Sequence, residues 1–102
     1  MSERPQIGID HEEQDGRGAF FLSREGIRLA EMTYSRTGPR KVIIDHTLVD
    51  DQLRGLGVAR RLLDTAIAWA RANKTTIIPT CPYAKAQFDK DPSIRDVLEK
   101  SA

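Results

Sequence analysis

The chain holds a single cysteine, Cys81, in 102 residues. With no second thiol and no CxxC spacing, an internal disulfide framework and the usual cysteine zinc clusters are excluded. No metal is expected elsewhere either, and Asp50-Asp51 reads as a solvated turn. Long apolar runs are also missing. The longest covers residues 66–70, against the ~20 residues needed to cross a bilayer, so no membrane partner is expected. Charge of one sign is lacking too: 16 Lys+Arg stand against 15 Asp+Glu, for a formal net charge of +1. A dedicated nucleic-acid binder needs a basic excess to collect phosphates, so no nucleic acid is expected. Residues 1–5 (MSERP) carry an acid and no apolar stretch, which predicts no signal peptide and a cytoplasmic location.

What remains is an ordinary globular composition, 39% hydrophobic and 30% charged. That suits one domain spanning residues 1–102, expected to act as a monomer. The first half reads as strands. Ile7 and Ile9 alternate with polar neighbours and suggest a first one. After the turn signal Asp15-Gly16-Arg17-Gly18, residues 19–23 read as a second, closed by Glu25-Gly26. Residues 27–35 form a third, with Ala30, Met32 and Tyr34 on one face. Gly38-Pro39 turns the chain into a fourth, residues 41–49. The period then changes. Ala59, Leu62, Leu63, Ala66, Ile67 and Ala70 make one apolar helical stripe, ending near Asn73-Lys74, where the amide is the expected left-handed cap. Residues 75–79 read as a fifth strand, parallel to its neighbour because a helix connects them. Helices over residues 83–88 and 94–100 follow, the last with Ser93 as N-cap and Asp96 at N3. The order β-β-β-β-α-β-α-α makes an α+β domain with a mixed, mainly antiparallel sheet.

The informative stretch joins the fourth strand to the helix: Val49-Asp50-Asp51-Gln52-Leu53-Arg54-Gly55-Leu56-Gly57-Val58-Ala59. Gly55, Gly57 and Ala59 let the backbone approach a ligand closely. The first helical turn leaves N–H donors and a partial positive charge, a natural place for an anion such as a diphosphate. Arg54, Arg60 and Arg61 surround it. For the Arg60-Arg61 pair, a solvated helix face and a phosphate contact are equally open. A dinucleotide fingerprint would need a third small residue where Arg60 stands, and a P-loop would need Lys-Ser or Lys-Thr after the glycines. Neither is present.

The segment resembles the acyl-CoA loop of the GNAT acetyltransferases, [QR]-x-x-G-x-[GA], placed between the fourth strand and its helix. Arg54, Gly57 and Ala59 match it, with Gly55 giving the Arg-Gly form. Gln52, Gly55 and Gly57 satisfy the bare pattern as well, but the Arg54 frame keeps the usual spacing from Val49. His46-Thr47-x-Val49 with Pro79-x-Cys81-x-Tyr83 is similar to the compact yjdJ-type branch of that family, over most of the chain from Ala30 onward. The resemblance implies a GNAT-like sheet with a β-α-β acyl-CoA-binding unit, and transfer of an acetyl group from acetyl-CoA to an amine acceptor. It implies that Leu48 and Val49 supply backbone groups to the pantetheine arm. Residues 54–60, with Arg54, Gly55, Gly57, Val58, Ala59 and Arg60, would then hold the diphosphate.

For catalysis the resemblance points to His46, Cys81 and Tyr83. His46 alternates with Val42, Ile44 and Leu48, which places it on a mostly apolar strand face. It is either structural or the general base that relieves an incoming ammonium of its proton. Cys81 is a buried filler, a nucleophile toward the thioester, or the acid that protonates departing CoA. Tyr83 is core or a general acid. Thr47, opposite His46 on the strand, reads as structural and Trp69 as packing. His11 has no ligand partner near it in sequence. Two rival functions stand beside the enzyme: a CoA-binding module without turnover, and a protein-interaction domain whose glycine loop is only a tight turn.

Overall fold

The computed structural model describes residues 8–99. Strand β1 (Asp10–Gln14) reaches β2 (Arg17–Arg24) through Asp15-Gly16, and β2 reaches β3 (Ile27–Gly38) through Glu25-Gly26. Both pairs take positive φ, 55° and 80° in the first, 54° and 79° in the second. These are two-residue hairpin turns of the kind whose twist matches the flanking strands. Strand β4 (Lys41–Val49) returns antiparallel to β3. A short 3₁₀ turn, residues 51–53, drops Leu53 into the core and leads to helix α1 (Val58–Ala72). Strand β5 (Thr76–Pro79) lies parallel to β4, completing a sheet ordered β1-β2-β3-β4-β5. Helix α2 (Pro82–Lys90) and a 3₁₀ segment, Pro92–Val97, close the described chain.

The core lies between one sheet face, with Phe20, Leu22, Ala30, Met32, Tyr34, Val42 and Ile44, and the helices. From α1 it takes Val58, Leu62, Leu63, Ala66, Ile67 and Ala70. The stripe thus starts on Val58, and Ala59, expected within it, is only half-buried. The left-handed residue after α1 is Lys74 at φ 52°, not Asn73 at φ −107°. Thr75 N–H still closes the end on Ala70 O, 2.9 Å away, so the backbone satisfies the cap whichever residue carries the positive φ.

Two expected elements differ. Ile7 lies outside the described residues and Ile9 precedes the first strand, which is Asp10–Gln14, exposed throughout. An edge strand held by its ladder to β2 needs no apolar alternation, so periodicity gives no sign of it. The expected last helix is the 3₁₀ segment Pro92–Val97, capped by Asp91 rather than Ser93, whose N–H donates to Asp91 Oδ1 at 3.0 Å. Beyond it, Leu98 bridges to Ile77 and Glu99 N–H donates to Ile77 O at 2.9 Å. Leu98 and Glu99 are drawn into extended pairing along β5, which a helix running through them would forbid.

Strand β4 carries the irregularity that matters most for the site. Thr33 pairs with His46 and Tyr34 with Ile44, so Asp45 is an extra, bulged residue. A bulge reverses which side chains face the core. After it, Thr47 and Val49 continue the inward face of Val42 and Ile44, while His46 and Leu48 point to the outer face. This corrects the expectation that His46 shares a face with Val42 and Ile44. The bulge is held by Thr33, whose hydroxyl donates to Asp45 Oδ1 at 2.6 Å.

Candidate active site

Strands β4 and β5 pair only from Lys41 to Ile44 and from Thr76 to Pro79. They then separate. Thr80 N–H and Cys81 N–H both fold back onto Ile44 O, at 3.0 and 3.1 Å, while β4 runs on through residues 45–49 beside β3 alone. Asp50 N–H donates to Leu29 O at 2.8 Å. Peptide groups alternate sides along a strand, so the N–H groups of Thr47 and Val49 face the opening. Those of Leu48 face β3, which leaves Leu48 only its side chain, 55% exposed, to offer a ligand.

Into this opening falls a cleft of about 360 Å³ lined by Thr47, Leu48, Val49, Arg54, Ala59 and Tyr83. Five of these six are residues singled out in the sequence. Gln52, the alternative frame, does not line it. At the start of α1, Gly55 and Gly57 take φ of 78° and 74°, conformations that side chains with a Cβ adopt at a cost. A Cβ at either position would meet nothing within 4 Å. The glycines therefore serve backbone shape and leave clear space in front of the helix. No side chain caps the helix, and the ladder begins with Arg61 N–H to Gly57 O at 3.1 Å. The amides of Val58, Ala59 and Arg60 precede it as donors for an anion. Open space, unspent donors and an adjoining cleft fit a diphosphate with a narrow arm attached.

The arginines divide. Among the described residues, the Arg54 side chain at the cleft is paired with Asp51, 2.9 Å away, with both side chains largely in solvent. Such a pair is worth at most about 1 kcal/mol and is readily exchanged for a phosphate. Arg60 is committed to the fold: Nε donates to Asp64 (2.9 Å), one terminal nitrogen to Gln87 (2.7 Å), the other to Asp91 (2.6 Å). The hydrogen bonds to Asp91 first and then Asp64 raise its pKa, and Arg60 in turn holds the Asp91 carboxyl down at about 2. As a ligand group Arg60 has only its backbone N–H, and its side chain is a brace from α1 to α2. Val58 likewise has only its amide to offer a ligand, since its side chain is 2% exposed and in the core.

The three catalytic candidates are not brought together on one surface. Tyr83, in the first turn of α2, lines the cleft half-buried, and burial raises its pKa above the ordinary range. Cys81 is 3% exposed, immediately before α2, and does not line the cleft itself. Its Sγ lies 3.1 Å from Thr47 Oγ1. His46 is exposed on the outer sheet face with Leu48. Thr47 is the site residue that sequence reasoning missed, because only the Asp45 bulge turns it inward. Trp69 does pack, against His11, Phe20 and Tyr34 at centroid distances of 5.2, 5.8 and 5.4 Å. His11, without a partner in sequence, finds Tyr34 Oη at 2.7 Å. Among the described residues no group of His, Cys, Asp and Glu is placed to hold a metal, and no helix is long and apolar enough to cross a membrane.

Comparison with known proteins bears on the same features. The family model of the GCN5-related N-acetyl-transferases matches residues 19–97. A GCN5-like protein of Staphylococcus aureus, solved by NMR, is 33% identical, with 94% of this chain and 91% of that one covered and a TM-score of 0.71. The ribosomal-protein-alanine N-acetyltransferase of Brucella melitensis biovar Abortus 2308 is 18% identical, covering 87% of this chain and 66% of that one, with a TM-score of 0.59. AAC(6')-Iy, solved with a CoA-containing bisubstrate analogue, is 15% identical over 87% of this chain and 66% of that one, with a TM-score of 0.53. At these identities the last two speak for the fold alone. No curated protein matches at the level of sequence. The family match spans the splayed strands, the glycine loop and both helices, and with it the chain belongs to the GCN5-related N-acetyltransferases, enzymes that take their acetyl group from acetyl-CoA.

Proposed function

We propose that the acetyl group passes to an amine in the opening between β4 and β5, with donor and acceptor arriving from opposite faces of the sheet. The observation that carries this reading is the cleft lined by Thr47, Leu48, Val49, Arg54, Ala59 and Tyr83. It runs from the bare helix start to the inward amides of the splayed strand. The amides of Val58, Ala59 and Arg60, with Arg54, hold the diphosphate of acetyl-CoA. The Thr47 and Val49 N–H groups receive the pantetheine arm, in place of the Leu48–Val49 pair expected from sequence.

The acceptor enters from the outer face, where Leu48 and His46 stand two residues apart. Its nitrogen bonds the acetyl carbon as the carbon–sulfur bond breaks. His46 takes the amine proton, and Tyr83 gives its proton to the departing thiolate. Both residues recover their starting states by exchange with water. Burial keeps the Tyr83 phenol protonated, the form that a general acid needs. Cys81, enclosed behind Thr47, supports the cleft rather than attacking the thioester. The whole domain acts as a compact yjdJ-type monomer in the cytoplasm, and the acceptor is an amine on a small molecule or a protein.

Calorimetric titration with acetyl-CoA, followed by detection of free CoA with a panel of amines, tests this. Binding with turnover supports the enzyme. Binding without turnover on any amine leaves a CoA-binding module, and no binding leaves the interaction domain.

A further inference from the structure

Thr47 has a hydroxyl that the mechanism above does not use, and its surroundings give it one. The Asp45 bulge turns Thr47 inward. There it both lines the cleft and sits 3.1 Å from the sulfur of Cys81. A hydroxyl has one proton to give and two lone pairs to receive with, whereas a thiol is a weak donor and a weak acceptor. When the Cys81 S–H donates to Thr47 Oγ1, the Thr47 O–H is left free to donate into the cleft. The enclosed thiol is then satisfied as well.

We propose that Thr47 is a catalytic residue that hydrogen-bonds the reacting acetyl group through its hydroxyl, and that Cys81 is the positioning residue that aims that hydroxyl. The proposal rests on the cleft being the acetyl-CoA site. No bond forms to the protein. The hydroxyl donates a hydrogen bond where negative charge develops on the acetyl oxygen as the amine attacks, and it keeps its proton. A fixed donor of this kind is already oriented when the charge appears, which favours the transition state over the bound substrate.

The test compares Thr47→Val, Thr47→Ser, Cys81→Ala and the double variant Thr47→Val/Cys81→Ala, in steady-state turnover and in calorimetry with acetyl-CoA. Thr47→Val keeps the shape and the backbone N–H but removes the hydroxyl. It should lower kcat roughly 10- to 100-fold, below the loss seen for an oxyanion-hole donor with several partners, and leave the acetyl-CoA Kd within about twofold. Thr47→Ser should restore most of kcat. Cys81→Ala should lower kcat by a smaller factor, and the double variant should be no slower than Thr47→Val alone, as expected when two residues act through one contact.

Wild-type kcat in a folded Thr47→Val protein, or losses that multiply in the double variant, would overturn the proposal and leave the acetyl-CoA site standing. An acetyl group found on Cys81 by intact mass would overturn it too, by making the cysteine the nucleophile. A wild-type protein that fails to bind acetyl-CoA would sink the site and this inference together.

Discussion

The two ends of the cleft are built in different ways. The proposed diphosphate end is a continuous stretch of chain, residues 54–60, distinguished by backbone conformation: two left-handed glycines, a helix start without a side-chain cap and one loosely held arginine. The proposed acetyl end is assembled from separate parts of the chain: Thr47 and Val49 on β4 and Tyr83 on α2 line it, and Cys81, between β5 and α2, stands behind Thr47. The first end depends on local geometry and bare donors, so it is vulnerable to a single side chain placed in its way. The second depends on packing, so its substitutions should change rate more than affinity.

The sharpest way to break the comparison is at Gly57. Gly57→Glu puts a carboxylate into the open space before α1 and should weaken acetyl-CoA binding by more than 100-fold in calorimetry. Gly57→Ala, whose Cβ meets nothing within 4 Å, isolates the conformational cost. Thermal melting should show it destabilised by roughly 1 kcal/mol, the penalty for an L-residue at positive φ, with much of the binding kept. Equal loss in both variants would mean that shape, and not clear space, is what the loop provides.

Tyr83→Phe probes the other end. Turnover should fall about 10²-fold, within the range for general acid catalysis, while acetyl-CoA affinity changes by less than about threefold. Because burial raises the Tyr83 pKa, the alkaline fall in kcat that belongs to its deprotonation should lie above pH 10 and vanish in the phenylalanine variant. An unchanged rate would take Tyr83 out of the chemistry.

Arg54→Ala should cost roughly 1.5–3 kcal/mol of binding, a tenfold to hundredfold loss of affinity, as for a charge-assisted contact. Its competitor offers the converse. Asp51→Asn frees Arg54 from its 2.9 Å partner and should tighten binding by up to about fivefold, the scale of an exposed pair. Calorimetry at low and moderate salt reads both, and an Asp51 variant that binds more weakly would show that the pair shapes the loop instead.

The smallest effect concerns the brace. Asp91 sits at about 2 because Arg60 and Ser93 hydrogen-bond its carboxylate, against 3.8 for the free group. A folded-state pKa below the unfolded one contributes stability that is complete above pH 3.8 and lost as pH falls toward 2. Asp91→Asn should therefore flatten the acid limb of the stability curve in that window, while acetyl-CoA affinity at neutral pH stays as it was. A large loss of affinity would mean that Arg60 serves the ligand as well as the fold.

The strands β2 to β4, the α1 stripe and the glycine loop were legible because their signals are local. Side-chain alternation, helical period and glycine placement depend on neighbours within a few residues. The preference for Arg54 over Gln52 was legible too, from its spacing to Val49, but the inward facing of Thr47 and the outward facing of His46 were not. A bulge at Asp45 has no mark in a run of β-branched residues that alternates equally well without it. Its existence depends on how β3 pairs, twelve residues away, through Thr33 and Asp45. The role of the Arg60 side chain was left open in sequence for a related reason: beside Arg61 at a helix start it has the charge a phosphate needs, while its hydrogen bonds to Gln87 and Asp91 come from α2 and the residue after it.

The sequence by itself showed the family through the resemblance of the loop Arg54-Gly55-Leu56-Gly57-Val58-Ala59, and it determined the β-α-β unit and a helix start open to an anion, because these two follow from short-range conformational preference and from the donors that a bare helix start must leave. Only the tertiary structure decided which side chains share the acetyl end of the cleft. One bulged residue reverses the parity of everything after it on β4, and the gap between β4 and β5 opens only where two distant backbone amides, those of Thr80 and Cys81, turn back to Ile44 instead of continuing the ladder.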